Sequence, residues 1–124
     1  FVILGLMGTS WRIIYFQTQS GSNPVRDFIQ SLTINAQGKV ARTLDLLSNY
    51  NIRVREPHAK KLRGTPLWEL RILGGDSIRI FYVAVLTESF LLLHGFEKRT
   101  NKIPKKEIDT AISRLIQWNS RDKK

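Results

Sequence analysis

The side chains most able to do chemistry gather around one stretch, Leu91–Glu107 (LLLHGFEKRTNKIPKKE). It reads as an apolar strand delivering His94 and Phe96, a loop carrying Lys98, Arg99 and Lys102, and a helix opened by Pro104. Further cations lie upstream: Arg79 and Tyr82 in Ile78-Arg-Ile-Phe-Tyr82, Arg71 in Leu67-Trp-Glu-Leu-Arg71, and Lys60, Lys61 and Arg63 in a basic connector. Cations at one mouth of a small sheet suit a polyanion. One reaction such groups could run is metal-free cleavage of RNA, in which the 2′-hydroxyl attacks its own phosphodiester. That reaction needs a base, an acid, and positive charge on the pentavalent transition state. Arg79, Lys98 and Arg99 suit the charge; His94, Tyr82 or a lysine of lowered pKa suits proton transfer. The competing readings are structural: His94 as a core imidazole, Arg71 or Arg79 in a salt bridge to Glu69, and the connector as a solvated loop.

The whole composition points the same way. The chain has 124 residues and a net charge of +10, with four basic and two acidic residues before position 51 and sixteen and eight after it. Such an excess favours phosphate backbones through counterion release. Without cysteine there is no disulfide or thiolate metal site, and an intracellular, cytoplasmic home fits. Two histidines are too few for a zinc site, and the lack of an Asp/Glu cluster argues against a two-metal nuclease. No metal or cofactor is expected. Phe1–Leu6 is too short and too uncharged at its start for a span or a signal peptide. Met7 is the only methionine, so residues 1–6 are read as a non-native or upstream extension and 7–120 as one domain, with 121–124 a frayed tail.

The elements that must position these residues follow from periodicity. Trp11–Phe16 is rich in β-branched and aromatic residues and predicts a strand. Asn23-Pro24 is a helix start, and Val25, Phe28, Ile29 and Leu32 mark one helical face. A second helix is predicted over 35–49, with Val40, Ala41, Leu44 and Leu47 as its stripe. Asn51–Pro66 reads as a connector, because Gly64 and Pro66 block a helix. Strands over 67–73, 77–85 and 88–96 have links short enough for a hairpin meander. The last helix, 104–118, has Ile108, Ala111, Ile112, Leu115 and Ile116 along one side. The expected fold is α+β, β-α-α-β-β-β-α, with an antiparallel sheet of about four strands. Whether Arg71 and Arg79 share a face depends on the loop between them, an odd number of loop residues placing them together.

This order, with Lys60-Lys-Leu-Arg-Gly64, Leu67-Trp-Glu-Leu-Arg71, Ile78-Arg-Ile-Phe-Tyr82 and Leu93-His-Gly-Phe-Glu-Lys-Arg-Thr-Asn-Lys-Ile-Pro-Lys-Lys-Glu-Ile108, resembles the HigB-like, phage-derived branch of the RelE/ParE toxin superfamily over about 11–114. The resemblance implies a RelE-like fold and a type II toxin that cuts mRNA, mostly on the ribosome, inhibiting translation as a metal-independent endoribonuclease. It implies a helix-turn-helix antitoxin as partner. Arg79 matches the strand arginine that contacts the scissile phosphate, and Lys98 and Arg99 match basic residues after the last strand. Lys60 and Lys61 fall where relatives keep substrate-binding or catalytic lysines. Arg63, Arg71 and Lys102 join them as expected RNA contacts, with His94 and Tyr82 as proton-transfer candidates. Glu69 departs from the pattern, since some RelE-type toxins have a basic residue there. The alternatives are a ParE-like inhibitor of DNA gyrase and a nucleic-acid-binding module that cuts nothing.

Overall fold

The computed structural model describes residues 10–122; the expected extension at 1–6 and the Met7 start lie outside them. Strand β1 (Arg12–Tyr15) leads to helices α1 (Pro24–Gln30) and α2 (Ile34–Tyr50). A 3-10 turn (Asn51–Arg53) precedes β2 (Ala59–Lys61), β3 (Trp68–Ile72), β4 (Ile78–Val85), β5 (Ser89–Glu97) and helix α3 (Lys105–Asp122). The five strands form one mixed sheet in the order β1-β5-β4-β3-β2. This is the expected α+β class with two additions.

One addition is β2, a three-residue edge strand inside the basic connector. Its two lysines face water and its only buried residue is Ala59, so it has no apolar alternation to announce it. Charged side chains on a short edge strand are also a guard against unwanted pairing. The other is the parallel pairing of β1 with β5, Arg12 opposite Ser89 through Tyr15 opposite Leu92. The remaining pairs are antiparallel, as hairpin links require.

Helices cover both faces. Against α1 and α2 the sheet presents Leu70, Ile72, Ile78, Ile80, Tyr82, Phe90 and Leu92, packed with Val25, Ala36, Val40, Leu44 and Leu47. Against α3 it presents Phe81, Val83, Leu91, Leu93 and Phe96, packed with Phe16, Leu67 and Ala111. Local signals start the first two helices. The Asn23 side chain accepts from the Arg26 backbone N–H at 3.2 Å with Pro24 next in line, and Thr33 accepts from Ala36 at 3.1 Å. Two apolar expectations fail: Ala41 and Ile116 face solvent. In each helix the stripe is narrower than the sequence implies, Ala36 taking the place of Ala41 in α2. Helix α3 also runs four residues past its expected end, and Arg121 lies over the Phe16 ring at 5.2 Å. A cation–π contact thus ties down Arg121, the first residue of what reads from sequence as a frayed tail.

Candidate functional site

Strand alternation decides which cations meet. The β3–β4 pairing sets Ile72 opposite Ile78, leaving five loop residues, and places Arg71 directly across from Arg79. The odd count puts both on the α3 face. Two guanidinium groups side by side repel one another. Glu69, two residues from Arg71 on the same face, resolves the conflict. Its carboxylate is almost fully buried and reaches Arg71 Nε at 3.1 Å through one oxygen and Arg79 Nε at 3.2 Å through the other. The Arg71 contact is a hydrogen bond, whereas the Arg79 Nε–H is not aligned on Glu69 and the contact is one of charge alone. Arg79 donates from Nη1 to the Ile78 carbonyl at 3.2 Å, and Arg71 also lies 3.6 Å from Glu56. Glu69 is therefore a positioning carboxylate, and its departure from the expected basic residue has a structural reason.

Helix α3 crosses β5 and leaves the β2–β3–β4 end of this face open. There the side chains of Lys60, Lys61, Arg63, Arg71, Arg79, Lys98 and Lys102 line one cleft of about 870 Å³, together with Glu69, Asn101, Leu62, Ile103 and Ile108. Seven cations and one carboxylate, drawn from β2 and the loop after it, β3, β4 and the 98–103 loop, share one hollow. Lys98 is fixed at the strand end by its backbone N–H, which donates to Ser77 at 2.7 Å. Lys61 is held by a hydrogen bond from Nζ to the Thr65 carbonyl. The expected RNA contacts Lys60, Lys61, Arg63, Arg71 and Lys102 all lie here, as do Arg79 and Lys98. Arg99 does not. Its side chain is 80% exposed and pairs with Glu97 at 3.0 Å.

The two proton-transfer candidates lie elsewhere. Tyr82 follows Arg79 by three residues, so alternation turns it to the α1–α2 face. There it packs edge-on against Phe90 at 5.4 Å. Burial pushes its hydroxyl up to about 12, against a smaller opposing effect of Arg55. His94 shares the α3 face with Arg79 because of a bulge. Phe81 pairs with His94 and Tyr82 with Leu92, so β5 spends one extra residue, Leu93, and the parity shifts. The shift delivers His94 to the underside of α3 instead of the cleft. Its Nε2 lies 2.7 Å from Glu107 Oε1 and its Nδ1 3.2 Å from Arg114 Nη1, and its ring stacks on Phe96 at 5.6 Å. A guanidinium can only donate, so Nδ1 accepts, the proton sits on Nε2, and Nε2–H donates to Glu107. The imidazole is neutral in this arrangement. Burial holds its pKa below the ordinary histidine value, Arg114 adding to the effect and Glu107 opposing it.

Sequence reasoning left Glu107 and Arg114 out of this arrangement. Their spacing around buried Ala111, at i, i+4 and i+7, is the signal that places them on one helical face towards β5. Among the described residues no group of three or more His, Asp or Glu side chains is placed to hold a metal ion, and no helix is long and apolar enough to cross a membrane.

A cationic cleft on one face of an α/β/α domain, with Arg79 held against a buried carboxylate, defines a small basic domain with one strongly positive hollow. The chain belongs to the family of phage-derived Gp49-like proteins, whose model matches residues 27–116 and so covers every strand except β1. That family is part of the RelE-type toxin superfamily, and RelE-type toxins are RNases. Membership is consistent with a toxin of a toxin–antitoxin system and points to an antitoxin as partner. No curated protein matches the sequence.

Proposed function

We propose that the chain is the toxin of a type II toxin–antitoxin system, close to the HigB-like branch, and that it cuts mRNA on the ribosome without a metal ion. The observation that carries this reading is the convergence of seven cationic side chains on one cleft around Arg79. In the proposed reaction the 2′-hydroxyl attacks the adjacent phosphorus, the P–O5′ bond breaks, and a 2′,3′-cyclic phosphate and a 5′-hydroxyl result. Arg79, aimed by Glu69, takes the charge that grows on the non-bridging oxygens. Lys98 and Lys102 approach from the loop after β5, and Lys60, Lys61, Arg63 and Arg71 hold the flanking phosphates. With His94 and Tyr82 outside the cleft, proton transfer falls to its lysines. The ribosome would supply much of the alignment, as positioning accounts for a large share of such accelerations. The site of action is then the cytoplasm, and the blocking partner a helix-turn-helix antitoxin.

The same placement of His94 and Tyr82 favours a second reading, in which the cleft binds nucleic acid or inhibits DNA gyrase and cuts nothing. Mapping mRNA 5′ ends after induction separates the two. New 5′-hydroxyl ends that vanish in Arg79→Ala support cutting. Growth arrest with intact transcripts and a DNA-damage response would overturn it.

A further inference from the structure

The basic connector does not stop at the cleft. Before it reaches Lys60 it passes the opposite face of the sheet, where Arg55 borders a second hollow. This one, of about 400 Å³, is lined by Asn51, Ile52, Val54, Arg55, Trp68, Tyr82, Ala84 and Phe90. Its wall is aromatic: Trp68 lies 6.5 Å from Tyr82, and Tyr82 5.4 Å from Phe90. The Arg55 guanidinium stacks on Trp68 at 5.4 Å, steadied by donation from Nη1 to the Val54 and Ile52 carbonyls. Among the described residues neither Arg53 nor Arg55 pairs with a carboxylate.

Each feature is more than the fold requires. A buried tyrosine and a half-buried tryptophan leave a hollow where α2 ends, and the exposed Ile52 stands at its rim. An arginine lying on an aromatic ring beside unneutralised positive charge is how proteins hold single-stranded nucleic acid: the ring takes a base and the cation its phosphate. A third groove, lined by Arg53, Val54, Arg55, Glu56 and His58, lies between the two hollows: it shares Val54 and Arg55 with the second, and its Glu56 lies 3.6 Å from Arg71, which lines the cleft. Trp68 pairs with Lys61 across β2 and β3, so the aromatic wall and the cleft share that strand pair.

We propose that this hollow is a nucleobase subsite: RNA whose phosphodiester lies in the Arg79 cleft wraps the β2 edge and seats a flanking base against Trp68, Tyr82 and Arg55. The proposal rests on RNA as the ligand of the cleft. It assigns Tyr82 a part in binding and none in proton transfer. It favours RNA over an acidic peptide because the connector that carries Arg55 past this hollow runs on into the cleft with Lys60, Lys61 and Arg63.

The probe is 2′-O-methyl decaadenylate, which lacks the attacking hydroxyl and can be mixed with the unaltered full chain. An abasic oligomer of equal length is the control. The indole N–H resonance of Trp68 is followed against those of Trp11 and Trp118. Decaadenylate is expected to shift Trp68 selectively and the abasic oligomer to leave it in place. Arg55→Ala should weaken decaadenylate binding roughly tenfold, the worth of about one stacked base. Arg12→Ala, which removes one exposed charge at the other edge of the sheet, should weaken it much less. Equal losses in the two variants would reduce the effect to charge and overturn the subsite. So would an unmoved Trp68 signal, or a Trp68 shift caused by an acidic leucine-containing peptide and not by RNA. Failure of mRNA cleavage in cells with a persisting Trp68 response would remove the nuclease and leave the subsite standing.

Discussion

Arg79 and His94 stand on the same face of one sheet, the face on which α3 lies, yet their surroundings are opposite. Arg79 opens on a cleft with six other cations and a single buried carboxylate. His94, brought to that face by a bulge, is closed in by Glu107, Arg114 and Phe96. The line between them is drawn by α3, which crosses β5 and stops short of β3. A strand residue can therefore look reactive in sequence and become a tie between sheet and helix once one helix is laid across it. The uncovered end is the one open to a ligand, and at the covered end His94 ties β5 to α3 through Glu107 and Arg114.

This contrast can be broken by substitution. The largest effect is expected for Arg79→Ala: cleavage and toxicity fall by about 10²–10³-fold, the worth of one transition-state donor. Folding survives, because Glu69 keeps Arg71 as partner. Induction assays with a thermal melt of the purified variant check both halves. Next is Glu69→Ala, which strips the shared counter-charge from two apposed arginines. Breaking a fully buried pair costs about 3–5 kcal/mol, and solvent access to Arg71 and Arg79 brings the expected loss to about 2–3 kcal/mol. Urea unfolding measures it, and Glu69→Gln should lose less.

His94 gives the pH signature of the closed end. Its folded pKa lies below the ordinary value, so in acid the unfolded chain binds the proton more readily than the native one. Its contribution is complete above the unfolded pKa of about 6.5 and is lost as pH falls below it. The urea midpoint should drop between pH 7 and pH 5, and His94→Gln should flatten that slope. A variant slope as steep as the parent's would remove His94 from the tie. The smallest effect is expected for Arg99→Ala, whose exposed partner is Glu97; stability should change by no more than about 0.5 kcal/mol, and cleavage by less than for Lys98→Ala.

Much of this arrangement is legible in the chain itself. Asn23-Pro24, the alternation of β3 and β4 and the α3 stripe place their elements to within a few residues. The loop-parity rule foresees that Arg71 and Arg79 meet if the loop count is odd, which five residues satisfy. The spacing of Arg79 and Tyr82 already sets them on opposite faces of a regular strand. Three features resist reading because they depend on distant partners. The β1–β5 pairing joins segments over seventy residues apart, β2 exists only by hydrogen bonding to β3, and the bulge at Leu93 is a property of two strands together. The bulge is the costly one, since it alone decides which face receives His94.

The most direct test sets the two residues side by side. Purified His94→Gln and Arg79→Ala, at a temperature where both are folded, are given ribosome-bound mRNA, and cleavage rates are followed with 2′,3′-cyclic phosphate ends as the readout. His94→Gln should cut within a few-fold of the parent while Arg79→Ala leaves the message intact. A silent His94→Gln beside an active Arg79→Ala would place the chemistry under α3 and contradict the account.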